Sequence, residues 1–227
     1  MKDKTLIGGI VVMIIGAVLI GVVWSLFLNP AQTPTAPLQA IPVDAPEGGS
    51  YTIFEINPEK SEVSFMLDET LRGLPTTVHG YSQNLAGQIA VDFANPPASQ
   101  IGPILINART LLTDNEFRNN AIHSFILDSE TYELITFMPT KINGLPAEYS
   151  PETQISIEIE GNLTIREITQ PVVFTGTLSP NDSQIVGSAT ATIKRADFEL
   201  KIPDAPGVAN VGEEVKLSIQ FTADLHQ

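Results

Sequence analysis

The sequence predicts an all-β fold: a closed antiparallel β-barrel of about eight strands with one short helix, preceded by an N-terminal transmembrane helix. Three observations lead there. Across Gln154–Phe174, Ile155, Ile157 and Ile159 alternate with Ser156, Glu158 and Glu160, the period of two that gives a strand one oily and one wet face. Gly161, Leu163 and Ile165 keep the phase, Arg166-Glu167 interrupts it, and Val172 and Phe174 carry it on after Pro171, as in a long hairpin. Finally, the same alternation recurs along most of the chain, and a sheet with so many one-sided strands removes its edges by closing.

The elements follow in order. Residues 1–28 open with Lys2 and Lys4, and Thr5–Leu28 then carries no charged residue. As a helix that run would reach roughly 36 Å, enough for a hydrocarbon core of about 30 Å. Trp24 near its far end suits the membrane interface. The run is longer than the apolar stretch of a cleaved signal peptide, about 7–15 residues, so it reads as an uncleaved signal anchor. Residues 29–49 hold Pro30, Pro34, Pro37, Pro42 and Pro46 and read as a semi-stiff linker. Residues 50–227 form the barrel domain. Its strands are marked by Tyr51–Ile56, by Val63, Phe65 and Leu67, by Thr76–Gly80, and by Gly87, Ile89, Val91 and Phe93. Ile104, Ile106 and Ala108 make the next inward row. Tyr132–Met138 follows, extended past Pro139 by Thr140–Ile142, then the long hairpin, then Ala189, Ala191 and Ile193, and last Val215, Leu217, Ile219, Phe221 and Ala223. The one helix in this domain falls within Thr110–Ser124, with Thr113 as cap and Glu116 three residues on.

Composition narrows the function. The chain has 227 residues, 43% of them hydrophobic, a formal charge of −14 and no cysteine. So acidic a surface repels phosphate backbones and argues against nucleic-acid binding. Without cysteine there is no disulfide framework and no thiolate chemistry. His79, His123 and His226 lack partners at metal-ligand spacing, so no metal or cofactor site is expected, and all three read as solvated or core histidines. His123, following the helix, is the one placed to reach the barrel mouth. No nucleophile motif accompanies Ser61 or Ser124. Asp114, Glu116, Asp128 and Glu130 flank the helix as a solvated acidic rim. The chain reads as a binding protein rather than an enzyme.

Several stretches occur in the order found in the YceI-like family. They are Tyr51-Thr-Ile with Ser61-Glu-Val-Ser-Phe65, Val78-His-Gly80, Gly87-Gln-Ile89, Ile106-Asn-Ala-Arg-Thr-Leu111 and Phe125–Tyr132 with Phe137. The most specific is Gly161-Asn-Leu-Thr-Ile-Arg166 with Thr169-Gln-Pro-Val172, followed by Lys194-Arg-Ala-Asp-Phe198 and Val211-Gly-Glu-Glu-Val215. The chain resembles that family over nearly all of residues 50–227. The resemblance implies a lipocalin-like barrel with an elongated apolar tunnel, an exported location, and a long-chain lipid or polyisoprenoid as ligand. The chain departs from the family pattern at Lys60-Ser61, at Arg118-Asn119-Asn120 and at Glu133. Glu167 and Glu199 stand at glycine positions, where a positive φ would make a non-glycine residue uncommon.

The predicted lumen lining follows from strand phase. It comprises Val63 and Phe65, Ile89 and Val91, Ile104 and Ile106, Phe137, then Ile157, Ile159, Leu163 and Phe174, and finally Ala189, Ala191, Leu217, Ile219 and Phe221. Gly87, Gly161, Ala189 and Ala191 put small residues on the inner face, which points to room inside. The expected partners are the lipid and, through Thr5–Leu28, the membrane, with the barrel outside the cytoplasm on a single-pass anchor. The alternative is a packed barrel without ligand, serving as a structural or interaction module. The oligomeric state is left open, a homodimer included.

Overall fold

The computed structural model describes residues 37–44, 50–150, 153–181 and 183–226. The Thr5–Leu28 anchor lies outside the described residues; among those described, no helix is long and apolar enough to cross a membrane.

The domain is one curled antiparallel sheet with one short helix. β1 (Thr52–Ile56) and β2 (Glu62–Leu71) make a bent strand. Between them Pro58 lacks a donor, and a 3-10 turn over Pro58–Lys60 is capped by Asn57, whose Oδ1 accepts from Glu59 N at 2.9 Å. Buried Ser61 satisfies the neighbouring strand at this kink, its Oγ accepting from Thr222 N at 3.1 Å. β3 (Leu74–Ser82), β4 (Leu85–Ala86) and β5 (Gln88–Val91) form a second bent strand. β6 (Gln100–Ile101), β7 (Ile104–Asn107) and β8 (Leu112–Thr113) form a third. Helix α1 (Glu116–Ala121) and a π-helical turn over Ile122–Ile126 come next. The straight strands are β9 (Leu134–Asn143), β10 (Ile155–Ile165), β11 (Ile168–Pro180), β12 (Gln184–Lys194) and β14 (Glu214–Leu225), with the short β13 (Val208–Ala209) before the last. Bending at turns, loops and Gly87 thus divides the expected long strands into shorter assigned ones.

The ladder runs β7–β9–β10–β11–β12–β14. On its far edge β14 pairs β2 through Lys216–Gln220 and then β1 through Ala223–Leu225. β1 pairs β5, β2 pairs β3, β3 pairs β8, and β4 pairs β7. The predicted hairpin is β10–β11, paired from Ile155 against Leu178 to Ile165 against Ile168. Every second residue from Ile157 to Ile165 is buried. The positive φ at its turn falls on Arg166, at 57°, rather than on Glu167, so the expected strain is displaced by one residue; Glu199 does take it, at 50°.

Three other details refine the sequence reading. The helix is shorter than Thr110–Ser124, because Leu112–Thr113 pairs with β3 as strand. Thr113 is therefore not the cap: Asn115 is, its Oδ1 accepting from Arg118 N at 3.1 Å. In β9, the pairing with β10 shifts between Glu160 and Gly161, with Lys141 and Pro139 as their partners. Thr140 is the extra residue, and this bulge returns Ile142 to the core-facing side. Finally, linker residues 37–44 are not free of the domain: Val43 N donates to Gln88 Oε1 at 3.3 Å, laying this stretch against β5.

Candidate binding cavity

The inward faces of the sheet surround a cavity of about 580 Å³. The predicted lining residues stand on its wall, with two exceptions. Val63, Phe65, Ile89, Ile104, Ile106 and Phe137 line one side; Ile157, Ile159, Leu163, Phe174, Ala189, Leu217, Ile219 and Phe221 line the other. Val91 and Ala191 do not. Val91 has the right phase but the wrong height, lying at the end of β5, paired with Thr52 and beyond Ile89. Ala191 is inward and buried, but it pairs with the larger Leu217, whose side chain forms the wall at that level.

Val63, Phe65, Ile106, Phe174, Leu217 and Ile219 point inward yet are only partly buried. In a filled core such side chains would be covered by their neighbours. Here the surface they retain faces the cavity. The small residues contribute less room than expected. A Cβ on Gly161 would meet Phe137 Cζ at 2.5 Å, and one on Gly87 would meet Ile104 Cδ1 at 2.5 Å. Both glycines give their space to a neighbouring side chain, not to the lumen. Phe137 is held edge-on to Phe174, with ring centroids 4.9 Å apart.

The two ends differ. One is plugged by aromatic rings: Phe54, fully buried, meets Phe93 edge-on at 6.2 Å, and Phe93 meets Tyr149 at 4.7 Å. Tyr149 is fixed by its hydroxyl, which donates to Pro180 O at 3.1 Å. The other end is a mouth formed by the β2–β3 turn, α1 with its π-helical extension, and the loop of residues 199–211. Phe117 and Phe125 line the cavity there and remain 64% and 49% exposed.

Polar groups hold the mouth in shape. Arg118 on α1 donates to Glu69 of β2 and to Asp114, both at 2.8 Å; the Glu69 side chain is only 6% exposed. Arg195 ties down the 199–211 loop and its continuation. Its Nε donates to Gly212 O at 2.7 Å, Nη1 to Leu200 O at 3.1 Å, and Nη2 to Val211 O at 3.3 Å and Glu213 Oε2 at 3.2 Å. Sequence periodicity missed this rim, since Leu200, Ile202 and Val211 reach the wall from a loop.

His123 lies inside the fold rather than on the cavity wall. Its Nε2 is 2.8 Å from Leu111 O, a group that can only accept, so that nitrogen carries a proton. Burial holds its pKa below the ordinary histidine value, with the bond to Leu111 opposing. His79 stacks on Tyr81, with ring centroids 6.1 Å apart, and His226 sits 3.1 Å from Glu55. Among the described residues, no group of three or more His, Asp or Glu side chains is placed to hold a metal ion.

A curled antiparallel sheet around an apolar interior, with one short helix at its rim, defines the lipocalin-like class. A YceI-like domain matches residues 54–223, and the chain belongs to the YceI-like family. UPF0312 proteins of Pseudomonas putida are 25% identical over 134 residues, which cover 56% of this chain and 66% of theirs; the match thus spans just under two thirds of the length of these curated relatives. Among solved structures, a polyisoprenoid binding domain from Saccharophagus degradans superimposes with a TM-score of 0.61 at 11% identity, over 78% of this chain and all of that one. Burkholderia cenocepacia BcnA gives 0.57 at 21% identity, over 74% and 98%. The Campylobacter jejuni YceI protein gives 0.52 at 18%, over 65% and 85%. At these identities the likeness is one of fold.

Proposed function

We propose that this chain is a binding protein that holds a long-chain lipid or polyisoprenoid in the lumen of a closed β-barrel. We further propose that Thr5–Leu28 anchors it in the cell membrane as a single pass, with the barrel outside the cytoplasm. The observation that carries the ligand reading is the ring of inward apolar side chains left partly uncovered around the cavity. An apolar guest that covered them would gain roughly 0.8 kcal/mol for each methylene removed from water. The pairings support closure. From β14 the ladder continues through β1 and β2, then the β3–β5 strand, the β6–β8 strand and β9, and so back along the sheet to β14. The likeness to a polyisoprenoid binding domain supports the class of guest. A binding role, not catalysis, fits an interior built from apolar side chains.

Native mass spectrometry tests the reading on residues 50–227 purified without detergent. The expected result is a mass excess on the order of a few hundred daltons, extractable into organic solvent, the size of a guest that a pocket of about 300–1,000 Å³ takes. Ile219→Trp, which projects an indole into the lumen, is expected to abolish that excess while leaving the fold intact. A barrel that takes up neither endogenous lipid nor an added long-chain probe, and that unfolds on this substitution, would be the packed module instead.

A further inference from the structure

Three arginines reach the cavity wall: Arg72, Arg118 and Arg195. Two of them are committed. Arg118 is occupied by Glu69 and Asp114. Arg195 spends its donors on loop carbonyls and Glu213. Arg72 is different. Its backbone N donates to Gly207 O at 2.6 Å, but among the described residues its guanidinium makes no hydrogen bond or ion pair.

The position of Arg72 is also unusual. Leu71 pairs with Leu74 across a two-residue turn, and both turn residues have positive φ, Arg72 at 51° and Gly73 at 83°. Such turns favour Asn-Gly, because a short polar side chain tolerates the left-handed conformation. Arginine gains no such local bond, and a backbone outlier of this kind is a pointer to function. The stem of the side chain crosses Gly207, where an added Cβ would lie 3.3 Å from Arg72 Cγ. The main-chain bond to Gly207 and this crossing hold the backbone and stem of Arg72 at the rim of the lumen, where the residue is exposed.

We infer that Arg72 is the headgroup site of the lumen, and that the guest is an amphiphile with an acidic head, a carboxylate or a phosphate. This rests on the lumen being the site of the apolar chain. A guanidinium offers its donors as a planar fork that matches both kinds of oxyanion, and such charge-assisted bonds are the strong ones. The apolar tail then lies along the wall towards the aromatic plug, leaving the head at the mouth. Of the carboxylates on the wall, Glu69 is taken by Arg118, and Asp204 stands exposed in the loop beside the mouth. Asp204 opposes an acidic head, which holds the preference to roughly tenfold rather than the larger ratio of a buried pair.

The test compares two photoreactive probes on the full chain in nanodiscs of zwitterionic phospholipid. One is a diazirine-bearing sixteen-carbon carboxylic acid, the other the matched alcohol, and labelled peptides are mapped by mass spectrometry. The acid is expected to label lumen peptides about tenfold more than the alcohol. Arg72→Gln should bring that ratio close to one, and Arg72→Lys should keep part of it. Lys201→Gln, which removes a cation that is not on the wall, should leave the ratio unchanged. The matched prenyl monophosphate then distinguishes a phosphate head from a carboxylate by which acid labels more. Equal labelling by acid and alcohol, or an acid preference that survives Arg72→Gln, overturns the headgroup assignment while leaving the lumen occupied. If neither probe labels lumen peptides, the binding reading itself falls.

Discussion

The plugged end and the mouth of this barrel solve the same problem, ending a sheet around an apolar space, by opposite means. At the plug, Phe54, Phe93 and Tyr149 close the floor with aromatic surface, and a hydroxyl bond to Pro180 O helps orient the last ring. At the mouth, no comparable apolar lid is found among the described residues. Shape there depends on a few polar ties, Arg118 to Glu69 and Asp114 on one side and Arg195 to the loop carbonyls on the other, while Phe117 and Phe125 stay exposed. Apolar contact is non-directional and resists opening as a block, whereas discrete polar ties can be exchanged one at a time for contacts with a guest. The difference assigns stability to one end and access to the other.

The largest effect should come from breaking the plug. Phe54 is fully buried and central to it, so Phe54→Ala leaves a cavity and should cost about 3–5 kcal/mol. Urea unfolding followed by far-ultraviolet circular dichroism should show a lower midpoint with an unchanged slope. A midpoint equal to that of the wild type would remove the plug from its stabilising role.

A smaller and more local effect is expected at the mouth. Arg118→Met leaves Glu69 buried without its cation, at a cost of about 1–3 kcal/mol. Adding Glu69→Gln should recover part of that loss, because the orphaned charge is then gone. Hydrogen exchange should sharpen the contrast: amides of α1 and the π-helical turn should exchange faster in Arg118→Met while those of β10–β12 do not. Uniformly faster exchange would mean that the mouth and the sheet open together, and the two ends could not be treated as separate.

What the sequence made legible divides along similar lines. The long strands and most of the wall could be read because burial of one face locks register, and a one-residue slip would turn Ile157, Ile159 and Leu163 to solvent. Phase alone does not give height along the barrel, which is why Val91 looked like lining and lies below it. Nor does phase say whose side chain fills the space above a glycine, so Gly87 and Gly161 looked like room for a guest. The plug and the rim were legible only in part: alternation carries Phe93 inward with Ile89 and Val91, and the helix falls near the mouth, but what either packs against does not follow. Phe93 and Tyr149 come from outside the assigned strands, and Leu200 and Ile202 from a loop with no period. Their places are set by partners distant in the chain, Pro180 for Tyr149 and Arg195 for the loop.

The smallest expected effect concerns His123, which lies behind the mouth and ties the π-helical turn to Leu111. Its Nδ1 is buried without a partner, and burial holds its pKa below the ordinary histidine value. The folded protein therefore resists a proton that the unfolded chain accepts. Its contribution to stability is whole above the ordinary histidine value of about 6.5. It falls as the pH drops below that value, and the loss stops growing once the pH passes the lower folded value. The carboxylates with lowered pKa, Glu160 and Asp224, lose their contributions only in more acidic solution, and comparison with a variant that cannot titrate at this position separates His123 from the other two histidines. His123→Gln keeps a donor for Leu111 O but cannot titrate. The melting temperature of the wild type should fall relative to that of this variant between neutral and mildly acidic pH. Exchange at the α1 and π-turn amides should rise over the same window in the wild type alone. A difference in melting temperature that stays constant across the window would show that the imidazole escapes burial when it is protonated, and the mouth would then be looser than its polar ties imply.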